Sequence, residues 1–250
     1  MDGVESTRTV LVTGSSRGIG RAIATTLCAD GWKVILHASR PESIADSVRE
    51  ETCAIGEIVA DLADPMQAVH LMRQIRAFGP LHAVVNNAGV YRPFAYDDHN
   101  DHVFTEGWGE TMAVNLISPS LIMREAALIF EEQGTGGKIL NVASRVGFKA
   151  EAGAAAYAAS KAAIVSLTRS LAVELAPKKI GVFGIAPGWV ETAMARDGME
   201  GRQDEILAGI PLGRMAQPED CAAAARFLLS DEAAYLSGVV LDINGASYFH

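Results

Sequence analysis

The stretch Thr13-Gly14-Ser15-Ser16-Arg17-Gly18-Ile19-Gly20 decides the fold of this chain. It follows a short apolar run, Val10-Leu11-Val12, and leads into a segment of helical character at about 18–30. Its glycines permit a tight turn, a close approach of backbone to a diphosphate, and close packing of the helix on the strand. The N-terminus of a helix also offers unpaired N–H groups and a positive dipole end to an anion. This strand–turn–helix context predicts a nucleotide-binding turn rather than a glycine-rich loop without chemistry.

The rest of the chain repeats this alternation of apolar runs and helix-length segments. Continuous apolar character without alternation is typical of strands buried on both faces of a parallel sheet. The sequence therefore predicts one α/β domain over residues 1–250, with a doubly wound, Rossmann-type parallel sheet of about seven strands and helices on both faces. The further runs are Val34-Ile35-Leu36, Ala83-Val84-Val85, Ile139 to Val142, Val182 to Ile185 and Val239-Val240-Leu241, and the further helical segments are about 41–51, 65–78, 105–133, 155–177 and 218–229.

Composition and charge exclude several classes of protein. Of the 250 residues 49% are hydrophobic and 20% are charged, which is ordinary for a globular domain, and the formal net charge of −9 offers nothing to nucleic acid. No purely apolar run approaches the ~20 residues of a membrane span, and no signal-peptide pattern is visible. Cys28, Cys53 and Cys221 are scattered and odd in number, which argues against a disulfide framework and against a zinc site. We therefore expect a reducing, cytoplasmic setting.

The end of the second apolar run discriminates between the two nicotinamide dinucleotides. NAD sites usually place an acid there for the ribose 2′-hydroxyl, whereas NADP sites offer cations to the 2′-phosphate. No acid appears here before Glu42. The sequence therefore predicts that a 2′-phosphate would face Arg40 and, from the glycine turn, Arg17, since each guanidinium offers several donors. Ser39, beside Arg40, is a further predicted cofactor contact. NADP(H) is favoured over NAD(H), with a solvated loop residue as the alternative for Arg40.

Two other turns that follow apolar runs are candidate cofactor contacts. Asp61-Leu62 could hydrogen-bond the adenine amine, or serve as a helix cap ahead of Asp64-Pro65. Asn87-Ala88-Gly89 follows the run Ala83-Val84-Val85, and its small residues would let backbone pack beside the adenine ribose. An ordinary turn is the alternative for the second segment.

Tyr157-Ala158-Ala159-Ser160-Lys161 places a phenol and an ammonium at i and i+4 of a predicted helix. A free tyrosine has a pKa of about 10. A neighbouring ammonium and a positive nicotinamide ring would both lower that pKa toward the working range. Ser144 follows a buried run, where its hydroxyl could meet a substrate oxygen at the carboxyl edge of the sheet. A surface Tyr–Lys pair is the common alternative, and co-occurrence with the glycine turn favours catalysis.

In their order and spacing, these motifs resemble the short-chain dehydrogenase/reductase family over essentially the whole chain, from Thr9 to Gly245. The resemblance implies that the glycine turn binds the cofactor diphosphate, that a tetrad transfers hydride between nicotinamide and a carbonyl or secondary alcohol, and that a Pro-Gly turn contacts the nicotinamide. The matching residues are Gly14, Ser16, Gly18, Ile19 and Gly20 for the diphosphate, Asn115, Ser144, Tyr157 and Lys161 for the tetrad, and Pro187, Gly188, Val190 and Thr192 for the nicotinamide.

The resemblance also implies a role for each member of the tetrad. Ser144 would hold the carbonyl oxygen and Tyr157 would donate its proton as the alkoxide develops. Lys161 would bind the nicotinamide ribose and lower the tyrosine pKa, while Asn115 would support a water relay. Without the resemblance, Asn115 is a polar residue inside a long helix. The alternative from a different class is a catalytically idle, cofactor-binding or scaffolding relative, which a broken tetrad would have favoured.

Within this family the chain is most similar to 3-oxoacyl-carrier-protein reductases, with alcohol, sugar and ring-ketone dehydrogenases as the alternative. Docking of an acyl-carrier protein is doubtful, because Thr135 and Val173 occupy positions where those reductases are basic. Glu131 and Glu132 would also repel an acidic carrier. The resemblance further implies a homotetramer joined through the long helices.

Two loops, at about 91–104 and 188–213, are expected on the substrate side. For Trp189 and Met194, burial against the core is an equal alternative to a lid over the substrate. His99, Asp101 and His102 are more typical of a solvated loop than of a metal site, so no metal is predicted. The residues assigned to the substrate are Tyr91, Phe94, Arg145, Trp189 and Met194.

Overall fold

The computed structural model, which describes residues 8–97, 99–199 and 201–250, contains a parallel sheet of seven strands. Its order, β3-β2-β1-β4-β5-β6-β7, reverses between β1 and β4, and ligands bind at such switch points beyond the carboxyl ends of the strands. This confirms the predicted doubly wound, Rossmann-type fold. The strands are β1 Thr9–Val12, β2 Lys33–Ala38, β3 Ala54–Val59, β4 Ala83–Asn86, β5 Gly137–Val142, β6 Ile180–Pro187 and β7 Val240–Ile243.

The side chains of each central strand alternate between two apolar clusters, one on each face of the sheet. Leu11 of β1 belongs to one cluster, whereas Val10 and Val12 belong to the other. Because helices cover both faces, every position of the strand must be apolar, which is why the runs in the sequence show no alternation. The helices are α1 Gly18–Ala29, α2 Asp46–Glu51, α3 Pro65–Ile75, α4 Asp101–Met112, α5 Ser118–Gln133, α6 Ala155–Leu175, α7 Ala193–Gly198, α8 Gln203–Ala208 and α9 Pro218–Leu229.

The two predicted substrate-side loops are more helical than expected. Helix α4 begins inside the first of them, because the Asn100 side chain caps it by accepting hydrogen bonds from the backbone N–H groups of His102 (3.1 Å) and Val103 (3.2 Å). The second contains α7 and α8. A single π-helical turn, Ala113–Ile117, joins α4 to α5 and so completes the long helix predicted at 105–133.

One helical stretch, Asp101–Gln133, is long and apolar enough to cross a membrane by length and composition alone. Half of its most apolar window is buried inside the fold. Its buried residues include Ile122, Met123 and Phe130, which belong to the larger apolar cluster beneath the sheet. These contacts are those of a core helix of the domain.

The expectation of scattered, unpaired cysteines is wrong for two of the three. Cys28, near the end of α1, and Cys53, just before β3, form a disulfide, with a Cα–Cα distance of 5.4 Å and a sequence separation of 25. Tertiary packing thus brings together two positions that are distant in sequence. Cys221 is free and buried, and desolvation raises the pKa of its thiol to about 12.

Candidate active site

A cleft of about 1270 Å³ follows the carboxyl edge of the sheet. Arg40 and Ser43 line one end, the glycine turn and Tyr157 line the middle, and Trp189 and Met194 line the other end. All the residues predicted to bind the cofactor line this cleft except Gly20. Motifs spread over most of the chain therefore meet in one place, because parallel strands end at a common edge.

The glycine turn has the geometry of a cradle for an anion. Gly14 and Gly18 have φ angles of 61° and 56°, a region that favours glycine. A Cβ on Gly20 would collide with the Gly14 carbonyl oxygen and the Asn87 side-chain amide. Within the described part of the chain no side chain caps the first turn of α1, so its N–H groups stay available to a diphosphate. The chain therefore fits a dinucleotide here.

Asn87 fixes this turn from the neighbouring strand. Its Nδ2 donates to the carbonyl oxygens of Thr13 at 2.8 Å and Gly14 at 3.1 Å. Its backbone N–H donates to Thr13 Oγ1 at 2.9 Å. The segment after β4 is thus more than an ordinary turn, because it locks the cofactor loop to the sheet.

Asp61 lies in the cleft and does not cap a helix. The cap of α3 is Asp64, whose carboxylate accepts a hydrogen bond from the Met66 backbone N–H at 3.0 Å. Asp61 instead accepts from the backbone N–H of Ala63 at 3.0 Å. One of its carboxylate oxygens therefore orders the loop, and the residue remains in position for an adenine amine.

His37 supports the cofactor turn, and sequence reasoning missed it. Its Nδ1 accepts from the Gly14 backbone N–H at 3.0 Å, and its Nε2 lies 3.0 Å from the Ala60 carbonyl oxygen. These partners require a neutral ring with the proton on Nε2. Desolvation by burial lowers the pKa of His37 to about 4, against smaller opposing contributions from Ala60 and Asp61. A polar residue at the end of an otherwise apolar strand was the only signal available.

His37 should make folding sensitive to acid. The unfolded chain binds this proton near pH 6.5 and the folded chain near pH 4. Because the unfolded chain takes up the proton first, the free energy of unfolding falls as the pH drops from 6.5 toward 4. The total loss from His37 is roughly 3 kcal/mol, and above pH 6.5 there is no loss. Urea unfolding of wild type and His37→Gln at pH 7, 6 and 5 should show a shallower pH dependence in the variant. Parallel slopes would contradict this, and His70→Gln, at an exposed position, is the control.

Tyr157 and Lys161 lie on one face of α6, as predicted, but their acidities differ from the expectation. Desolvation raises the pKa of Tyr157 to about 12, although its hydrogen bond with Ser144 acts to lower it. The Lys161 ammonium lies 5.7 Å from the centroid of the tyrosine ring and donates to the Val142 carbonyl oxygen at 2.8 Å. Burial lowers the pKa of Lys161 to about 8. The protein's own groups thus hold a protonated phenol at neutral pH, which suits proton donation.

Asn115 lies one layer behind the cleft, in the π-helical turn. Its Oδ1 accepts from the Val90 backbone N–H at 2.8 Å. Its Nδ2 donates to the Val90 carbonyl oxygen at 2.9 Å and lies 3.2 Å from Ser160 Oγ. The side chain therefore holds the segment after β4 against α6. Single π turns are frequent at functional sites because they re-aim a side chain in this way.

Four of the five residues assigned to the substrate line the cleft. The Tyr91 ring packs edge-on against the Tyr157 ring, with centroids 5.2 Å apart and an interplanar angle of 86°. Trp189 lines the cleft and also packs on a small apolar cluster of α7 and α8, so the lid over the substrate stays a prediction for it. Phe94 does not line the cleft. Its ring turns away to Phe104, 5.6 Å between centroids, and against Gly107 of α4.

Known proteins are similar to this chain in sequence and in fold. A family model described as enoyl-(acyl carrier protein) reductase matches residues 14–246. The 3-oxoacyl-[acyl-carrier-protein] reductase FabG of Escherichia coli (strain K12) is 38% identical over 240 residues, covering 95% of this chain and 96% of the relative. FabG of Staphylococcus aureus (strain Mu50) is 34% identical over 250 residues, covering 98% and 100%.

Two solved structures extend the comparison to sugar-acid dehydrogenases. A protein assigned as an NAD(P)-dependent gluconate 5-dehydrogenase from Beutenbergia cavernae, with bound NADP at low occupancy, has a TM-score of 0.89 and 36% identity, covering 97% of each chain. A protein assigned as a 2-deoxy-d-gluconate 3-dehydrogenase from Agrobacterium tumefaciens, with bound NADP, has a TM-score of 0.86 and 33% identity, covering 96% of each chain.

Proposed function

The chain belongs to the short-chain dehydrogenase/reductase family and is a nicotinamide-dependent oxidoreductase; we propose that its cleft transfers hydride between NADP(H) and a carbonyl or secondary alcohol. The observation that carries the proposal is the meeting of the glycine turn with Ser144, Tyr157 and Lys161 in one cleft. These groups supply an anion cradle and a proton donor side by side. An idle, cofactor-sensing relative is the alternative, and the intact tetrad speaks against it.

The chemistry follows from the placement of these side chains. When bound, the nicotinamide supplies or accepts the hydride. Ser144, whose hydroxyl acts to lower the pKa of Tyr157, is proposed to hold the carbonyl oxygen together with the Tyr157 phenol. The phenol then donates its proton to that oxygen as negative charge develops, and Lys161 provides a nearby positive charge. Asn115 acts through backbone as a positioning residue, and a water relay through it remains a prediction.

The phosphate end of the cleft supports NADP(H) over NAD(H). Arg17, Ser39 and Arg40 all line this end. The nearby acid, Glu51, is held by Arg21, whose Nε and Nη2 donate to its oxygens at 3.1 Å and 2.7 Å. Its charge is therefore balanced, and two arginines remain to meet a 2′-phosphate.

Arg40→Ala is expected to raise the Kd for NADPH by about 10- to 100-fold, because a charge-assisted hydrogen bond contributes about 1.5–3 kcal/mol. NADH lacks the phosphate and should be affected much less. Fluorescence titration gives the two Kd values. Turnover is measured as decay of NADPH and NADH absorbance with a panel of 3-oxoacyl thioesters, diketones and ring ketones. Arg49→Ala, whose exposed side chain pairs with Asp46 and Glu57, is the matched control. A wild-type preference for NADH would contradict the proposal of NADP(H) as the cofactor. Failure with every ketone despite tight NADPH binding would favour the idle relative.

A 3-oxoacyl thioester is one candidate substrate, supported by the FabG relatives. Repulsion of a carrier protein is weaker than the sequence suggested, because Glu131 pairs with Lys178 at 2.7 Å and Glu132 with Arg76 at 2.5 Å. The case against carrier docking then rests on the absence of basic side chains at Thr135 and Val173. An alcohol, sugar or ring ketone is the alternative, supported by the sugar-acid dehydrogenases of the same fold.

A homotetramer and a cytoplasmic location stay predictions. Exposed apolar side chains on the long helices, Ile117, Leu128 and Val173, support association through these helices. The Cys28–Cys53 disulfide argues against the cytoplasmic location, since such bonds persist mainly in oxidising compartments.

A further inference from the structure

We propose that Arg145 and Glu151 form a recognition site for hydroxyl groups at the substrate end of the cleft, so that the substrate is a hydroxylated, sugar-like ketone or alcohol rather than a plain acyl chain. The inference rests on the proposed function, because it concerns which carbonyl compound reaches Tyr157. Its basis is a pair of enclosed charges whose hydrogen-bonding capacity the protein leaves largely unused.

Arg145 follows Ser144 directly, and its side chain is only 10% exposed. Nη1 donates to Ser247 Oγ at 3.0 Å. Nε is buried and finds no hydrogen-bond partner among the residues that the structure describes. Nη2 lies 3.7 Å from Glu151 Oε2, which is beyond hydrogen-bonding distance. A guanidinium with five N–H donors thus makes one short contact with the protein.

Glu151 presents the complementary acceptors. Its side chain is 16% exposed and, like Arg145, it lines the cleft beside Ser144 and Tyr157. Its charge is felt at the reacting end, since it adds to the desolvation that raises the pKa values of Tyr91 and Tyr157. Both charged side chains therefore line the same cleft as Ser144 and Tyr157, which are proposed to hold the carbonyl.

The balance of charge and hydrogen bonding identifies the chemical class. An alkyl chain over this pair would displace the remaining water from two ions and return no hydrogen bond, which is costly. A hydroxyl can donate to Glu151 and accept from Arg145. A carboxylate would meet the charge of Glu151 beside that of Arg145, so the pair as a whole favours a neutral, hydroxylated group.

The walls of this end include two aromatic rings. Gly198 lies against the rings of Tyr91 and Trp189, where an added Cβ would be 3.5 Å and 3.6 Å from the two rings. Both rings also line the cleft. Aromatic faces pack well on the C–H surface of a short polyol while its hydroxyls turn to the charged pair.

The test compares two ketones of one carbon skeleton, L-erythrulose and butan-2-one, by the rate of NADPH oxidation. We expect kcat/KM to favour erythrulose by at least about 100-fold, because a site built for hydroxyls strongly rejects analogues that lack them. In Glu151→Gln this advantage should fall by about 10-fold or more. Glu131→Gln makes the same change at an exposed ion pair and should leave the ratio as in wild type.

Two further substrates separate failure of this inference from failure of the proposed function. Butane-2,3-dione and acetoacetyl-CoA carry carbonyls but no hydroxyl beside them. If either is reduced and erythrulose is no better than butan-2-one, the enzyme stands and the hydroxyl site is wrong. An erythrulose advantage that Glu151→Gln leaves unchanged also overturns the site. If no ketone is reduced, the proposed function itself fails. If Glu151→Gln loses NADPH binding, Glu151→Asp takes its place in the test. The aspartate keeps the negative charge but moves it away from the substrate, so it must also reduce the advantage of erythrulose over butan-2-one.

Discussion

Replacing Tyr157 with phenylalanine is expected to lower kcat for ketone reduction by about 1,000-fold while the Kd for NADPH stays within about threefold of wild type. The phenol is the proposed proton donor in the cleft, and general acid catalysis typically contributes about 10²- to 10⁴-fold. The ring itself remains, so its edge-on packing against Tyr91 is kept. The measurements are single-turnover oxidation of NADPH and a fluorescence titration of NADPH binding.

Tyr235→Phe provides the control, because it removes a phenol from a fully exposed position on a 3-10 turn. It should be indistinguishable from wild type in both measurements. Turnover of Tyr157→Phe within about tenfold of wild type would remove Tyr157 from the chemistry and with it the proposed mechanism.

Gly20→Ala is expected to weaken NADPH binding by about 100-fold. The new methyl group would collide with the Gly14 carbonyl oxygen and with the Asn87 amide. Either the turn or the Asn87 side chain must then move, and the backbone N–H groups proposed to bind the diphosphate move with it. Because the collision is local, the melting temperature should change little. Calorimetric titration would measure the change in the binding constant.

Gly109→Ala is the matched control for this change. Gly109 lies in α4, and an added Cβ there meets nothing within 4 Å. Its NADPH affinity should equal that of wild type. If Gly20→Ala binds NADPH as tightly as Gly109→Ala does, the glycine turn is not the diphosphate site.

Most of the sheet could be predicted from the sequence because burial on both faces requires unbroken apolar runs. The ends of α9 agree with the prediction to the residue, since Pro218 marks a first helical turn. The start of α4 was missed because Asn100, a strong cap, lies in a run of acids and histidines that is typical of a loop. The Cys28–Cys53 pair could not be inferred, because the distance between α1 and β3 depends on tertiary packing.

Some residues of the candidate site could likewise be predicted from the sequence, and others could not. The glycine turn, Asn87, Ser144 and Pro187 were predictable because they lie at or just after the ends of strands, and strands of a parallel sheet end at one edge. Tyr157 and Lys161 were predictable from their i, i+4 spacing on a helix. His37 was not, because its role depends on Gly14 and Ala60, which the sequence does not show to be neighbours. The position of Phe94 outside the cleft could not be predicted for a related reason. The direction of an aromatic ring in a loop is set by the helix it meets, here α4.

The Cys28–Cys53 disulfide has a consequence for how this molecule opens. β3 is an edge strand of the sheet, and an edge that frays presents unpaired backbone groups to other chains. The bond anchors the start of this strand to α1, whose own interior residues, such as Ile23 and Leu27, are fully buried. Local unfolding of the edge is therefore coupled to unfolding of the core, so that the exposed margin of the sheet is protected against intermolecular strand pairing.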